Sequence, residues 1–136
     1  MSFGNTTETD VLNLLFNKTA LPFDAITDLY LSLHTSDPGE AGNQTTNEAN
    51  YTSYARVIVA RSSVGWTVSG STVANAALKQ FPQCTGGINV VTHVAIGTLA
   101  SGAGQIIASG SLSSPLTISN LIQPQFSAGA LQFTID

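Results

Sequence analysis

The sequence predicts an all-β domain: a jelly-roll-like β-sandwich of about eight short strands with a short N-terminal helix. Three observations carry this expectation. Apolar residues alternate with polar ones in short runs, the period of a half-buried strand. Turn formers interrupt these runs at intervals of about 10 residues. A chain of 136 residues holds one core, and no long helices alternate with the strands as a parallel α/β fold requires. One domain over 1–136 follows, with residues 1–22 as a helical arm and 23–136 as the sandwich.

The first element is the helix. Thr9 or Asp10 is placed to cap it, and Val11, Leu12, Leu14, Leu15 and Phe16 give it a wide apolar face. It runs from Thr9 to Ala20 and Pro22 ends it. Too short to persist alone, it must dock on its own domain or on a partner. The first strand follows in Thr27–Thr35, where Leu29, Leu31 and Leu33 alternate with Asp28, Tyr30, Ser32 and His34. Ser36–Asn50 is polar, contains the turn signal Asp37-Pro38-Gly39, and exceeds the usual loop length. A connection of that length is either functional or mobile.

Further strands are expected at Tyr54–Arg61, Gly65–Gly70 and Ser71–Ala77, the last extended by Leu78–Phe81 until Pro82. Cys84-Thr85-Gly86-Gly87 is a turn. Val90–Thr98 and Gln105–Leu112 are strands joined through Ala100–Gly104, and Leu116–Leu121 and Leu131–Ile135 complete the set, with Gln125–Ala128 between them.

Composition narrows the function. Charged residues make up 9% of the chain and hydrophobic ones 43%, against about 25% charged in ordinary domains. Burying an unpaired charge is costly and burying a bonded hydroxyl is cheap, so such a surface suits packing against neighbours. Lys18, Arg56, Arg61 and Lys79 are the only Lys or Arg residues and form no cluster, so no direct contact with nucleic acid is expected. No apolar run is long enough to span a bilayer. The first residues lack the basic and apolar regions of a secretory signal. The sequons at Asn5, Asn17, Asn43 and Asn50 therefore read as chance. The single cysteine, Cys84, forms no internal disulfide, which agrees with assembly in a reducing cytoplasm.

Each search for chemistry ends on a plainer reading. His34, His93 and Cys84 lack the local spacing of zinc ligands. The pattern Gly-x-Ser-x-Gly is not matched by Gly65–Gly70 or by Gly102-Ala103-Gly104. The latter has no following helix or Lys to cradle a phosphate. Asp37, Glu40 and Glu48 share one polar loop and read as solvated rather than as a glycosidase pair or a calcium loop. Trp66, Tyr30, Tyr51, Tyr54, Phe81, Phe126 and Phe133 are spaced as core aromatics. Tyr51 and Tyr54 are the one hint of a receptor patch. No catalytic residue, metal ligand or cofactor is expected.

The run Leu29-Tyr30-Leu31-Ser32-Leu33-His34-Thr35-Ser36-Asp37-Pro38-Gly39-Glu40-Ala41-Gly42 resembles the opening of a phage structural-protein family. Gln44–Glu48, Tyr51–Arg61, Gly65–Val68, Phe81-Pro82, Cys84–Gly87, Val91–Gly97, Ser101–Gly104 and Pro124–Leu131 continue the likeness. Leu121–Phe126 departs from it, because relatives tend to place a glycine before the corresponding step. The resemblance implies a virion component. Members are labelled tail-fibre or minor structural proteins, and some are similar to jelly-roll cement proteins. The expected role is a cement or decoration protein on the capsid exterior that binds the major capsid protein. The alternative is a tail or tail-fibre-associated adhesion protein. Self-association is expected, a dimer before a trimer. The candidate interface residues are Leu12, Leu15 and Phe16 on the helix, Asp37 and Glu40 in the loop, and Tyr51.

Overall fold

The computed structural model describes residues 1–135. The chain is all-β with one helix: β1 (Ser2–Phe3), α1 (Asn5–Asn17), β2 (Asp28–His34), β3 (Val57–Ala60), β4 (Trp66–Ser69), β5 (Thr72–Asn75), β6 (Lys79–Gln80), β7 (Asn89–Gly97), β8 (Ile106–Ile118), β9 (Gln125–Phe126) and β10 (Gln132–Thr134). Every strand pair is antiparallel. The sheets have the orders β1-β8-β7-β2-β3, β10-β5-β4 and β6-β9.

The leucines of β2 are buried as the alternation predicts, but its polar side is not left to solvent, because Ser32 and His34 are fully buried as well. Leu29, Leu31 and Leu33 are buried and pack with Val59, Val91, Val94 and Ile118. A second part of the core is aromatic. Tyr51 meets Tyr54 edge-on at 5.3 Å, Tyr54 stacks on Phe81 at 6.2 Å, and Phe81 meets Phe126 edge-on at 6.2 Å.

Several boundaries differ from the sequence reading. The helix begins at Asn5, four residues before Thr9, because Gly4 holds the extended N-cap conformation and the Asn5 N–H donates to the Glu40 carbonyl at 2.9 Å. A distant carbonyl replaces the expected side-chain cap. Thr9 and Asp10 lie inside the helix. It ends at Lys18, whose left-handed backbone (φ 55°) brings its N–H to the Asn13 carbonyl, well before Pro22. The extension of β5 through Phe81 is interrupted. Asn75 is buried there and bonds Ala77 and Ser127 through Nδ2 and Leu131 through Oδ1, which turns the chain away from the strand.

The two strands expected at Gln105–Leu112 and Leu116–Leu121 are one strand, β8, with a break in register. His93 pairs with Ser111 and Val91 with Leu116, so Thr92 alone faces the four residues Leu112–Pro115. Pro115 falls in this excursion, where its missing N–H costs no ladder bond. Strand β1, invisible to pattern, pairs with β8 through Ser2↔Ser109 and Phe3↔Ala108.

Candidate functional site

The long loop is pinned to the sandwich. Its Gln44 side chain is fully buried, and Oε1 accepts the Leu99 N–H at 2.9 Å. Gly97 and Gly104 make room for it: a Cβ at either would stand 2.1 Å from Gln44 Cδ or 2.0 Å from Oε1. Glu48, read from sequence as a solvated acid, is instead held by a fork. Arg56 Nε donates to Oε1 at 2.7 Å and Nη2 to Oε2 at 2.8 Å, while Tyr54 Oη donates to Oε1 at 2.9 Å. Arg56 also donates to the carbonyls of Leu99 and Gly102, and its side chain is 3% exposed. Loop, strand edge and the 98–104 connection are stapled together by one buried guanidinium.

His34 is buried beneath the same loop. Its Nδ1 lies 2.8 Å from the Thr46 carbonyl, which can only accept, so Nδ1 carries the proton and Nε2 accepts from Ser32 Oγ. Burial holds its pKa below the usual 6.5. His34 stands beside His93 across β2 and β7. Asp37, His93, Ser109 and Ser111 line one small polar cleft. His93 Nδ1 bonds Thr92 Oγ1, and among the described residues His93 makes no hydrogen bond to Asp37, Ser109 or Ser111. Nor does any group of three His, Cys, Asp or Glu side chains converge among them.

The predicted interface residues separate into three groups. Tyr51 is not at the surface. It is 3% exposed, its hydroxyl donates to the Pro82 carbonyl, and burial pushes its pKa up to about 12. The receptor patch suggested around Tyr51 and Tyr54 is therefore core, because ring stacking and burial outweigh display of the rings. Asp37 and Glu40 are exposed. Asp37 caps its own turn through Gly39 N–H, and Glu40 lends its carbonyl to the helix. Leu12, Leu15 and Phe16 are exposed by 57, 68 and 79%.

That last group defines an unusual helix. Residues i, i+3 and i+4 share a helical face. Thr7, Asp10 and Val11 form the face turned toward the domain, where Thr7 Oγ1 donates to the Ile106 carbonyl and Gln105 Nε2 donates to both Thr7 Oγ1 and Asp10 Oδ2. Leu12, Leu15 and Phe16 form a second stripe that faces solvent, while Leu14, which follows Asp10 and Val11 around the helix, is 43% exposed. The polar side docks and the apolar side is bare, the reverse of an ordinary surface helix. Covering the exposed surface of the three stripe side chains would be worth roughly 3–6 kcal/mol, since fully burying one such residue is worth about 1.5–3 kcal/mol.

A second bare apolar surface lies between the five-stranded and three-stranded sheets. It is a cleft of about 580 Å³ lined by Phe3, Leu29, Trp66, Ile107 and Phe133, open to solvent at Val68, which is 74% exposed. Among the described residues no charged side chain lines it; Ser62 and Ser63 are its serine lining. Sequence reasoning named the helix stripe but not this cleft. The alternation of β4 carried a faint sign of it, since Val68 stands among polar neighbours.

The described residues form a small all-β sandwich with an exposed apolar helix stripe and an apolar cleft. The chain matches the model of the family described as podophage GP4 fiber I protein gp80 over residues 2–134. It belongs to that family of phage structural proteins. No curated protein matches it. No helix among the described residues is long and apolar enough to cross a membrane.

Proposed function

We propose that this chain is a non-catalytic structural subunit of the phage fibre apparatus, seated in the virion through the outward stripe of α1. The observation that carries the reading is the reversed helix. A soluble monomer rarely leaves a contiguous apolar stripe bare, and such stripes mark interaction sites. The family's description supplies the fibre. The low charge supports permanent packing. Arg56 is committed to Glu48, and Arg61 donates to the carbonyls of Phe23, Asp24 and Ile26, which leaves little cationic surface for nucleic acid.

A second reading is a cement on the capsid exterior, held against the major capsid protein by the same stripe. The compact build favours it, since the strands close on one core without a drawn-out shaft. Absolute quantification of the protein in purified particles tests both. A few dozen copies at most per particle is the expected result. Hundreds would replace the fibre with the shell, and absence from the particle would overturn both readings.

A further inference from the structure

The 36–50 loop touches both the buried His34 and the start of α1. Its Thr46 carbonyl accepts from His34 Nδ1 at 2.8 Å. Two backbone bonds hold the same stretch to β2 and the residue after it: Thr35 N–H to the Asn47 carbonyl and Ala49 N–H to the Leu33 carbonyl, both at 2.8 Å. Nearer its start, the Glu40 carbonyl accepts the Asn5 N–H at the head of the helix. Between these points Gln44 N–H donates to the Gly104 carbonyl at 2.9 Å, while its side-chain Nε2 is buried and finds no acceptor among the described residues. A buried donor left unpaired costs free energy that hydration recovers once the loop lifts. The closed loop is thus held by a few named bonds and weakened by one orphan.

The pocket beneath the loop suits a neutral imidazole. Ser32 Oγ has Nε2 as its hydrogen-bond partner and no other among the described residues, so a second ring proton takes away that hydroxyl's acceptor. The charged and titratable groups around the ring are Glu48 of the loop, Arg56 ahead of β3 and His93 opposite on β7. Burial opposes the imidazolium most, and Arg56 and His93 add to it; the Thr46 bond and Glu48 act the other way. Glu48 is already forked by Arg56 and bonded by Tyr54. The penalty on the cation falls away when the loop lifts and water reaches the ring. We propose that the 36–50 loop is an acid-released strap: a proton on His34 frees it from β2, and its release takes the Glu40 cap off α1. The proposal does not rest on the fibre reading, since it concerns motion within one chain.

Hydrogen exchange at single amides decides it, read by NMR between about pH 7.5 and about pH 5.5 and corrected for the intrinsic pH dependence of exchange. An opening that hydrates His34 is favoured by up to about tenfold over this interval, because the hydrated ring takes its proton near pH 6.5 and the buried ring takes it lower. Protection of the Gln44 and Ala49 N–H groups is expected to fall severalfold toward that ceiling, following the titration of the His34 ring protons. The Asn5 N–H is expected to fall by the same factor. Amides of β7 within its ladder are expected to stay better protected than the strap throughout. In His34→Gln the pH dependence is expected to vanish, and in His93→Gln to persist, because His93 neighbours the ring without bonding the strap. The wild-type titration carries the test even where His34→Gln folds poorly. Flat protection in wild type overturns the proposal, as does a fall that survives His34→Gln or disappears in His93→Gln. Strap amides as protected as those of β7 also overturn it, since the loop then opens only with the whole chain. An Asn5 N–H that ignores pH overturns the link to α1.

Discussion

Glu48 shows how a single residue can be misread from its neighbours in sequence. It sits in a run of turn formers, and nothing within that run names Arg56 as its partner; the pairing exists because β3 and the long loop meet only in the fold. The two side chains form a fork with the guanidinium almost wholly buried. Removing one partner leaves an uncompensated buried charge, so Glu48→Ala is expected to cost about 3–5 kcal/mol in urea denaturation. Adding Arg56→Met is expected to recover much of that loss. His34 is the second case. Its strand position was legible, and its burial was not, because the loop that covers it is polar. The folded pKa lies below 6.5, so as pH falls the unfolded chain takes up this proton first. The stability that neutral His34 contributes is complete above about pH 6.5 and is lost as pH drops below that value. The urea midpoint is expected to fall between about pH 7 and about pH 5.5, with a smaller fall in His34→Gln.

Among the elements, β2, β4 and β7 were plain in the sequence because their apolar spacing is strict and turn formers bound them. The ends of α1 and the unity of β8 were not. A helix capped by a carbonyl of the Glu40 peptide bears no local signature, and a strand that expels four residues opposite one resembles two strands. The apolar stripe of α1 was legible; that it turns outward was not, since the anchoring bonds come from Gln105 and Ile106. Replacing Leu12, Leu15 and Phe16 by Ser is expected to change folding stability by less than about 0.5 kcal/mol, as for other exposed positions. The same protein is expected to be lost from purified particles, which mass spectrometry of the virion checks. The Gln44 plug gives the opposite expectation. Gly97→Ala forces a Cβ onto Gln44 Cδ and is expected to cost about 1–3 kcal/mol as an overpacked site. Limited proteolysis is expected to open the 36–50 loop in that variant before the sheets.

At the scale of the whole molecule, apolar contact surfaces and scarce charge imply that attachment is not electrostatic. Salt screens exposed charge pairs but leaves apolar burial intact. Incorporation into particles is therefore expected to persist as ionic strength rises, and loss of the protein on a high-salt wash would contradict the apolar seat. The all-β class and the single cysteine's burial agree with a domain that relies on its own packing. The anchoring of α1 also has a meaning in time. Thr7 is tied to Ile106, 99 residues away, and a helix of this length is marginal without its support. The stripe is thus rigidly displayed only after the last third of the chain has been made and folded. Partly built copies lack an oriented stripe, so, if the stripe seats the protein as proposed, only fully folded copies are expected to enter the particle.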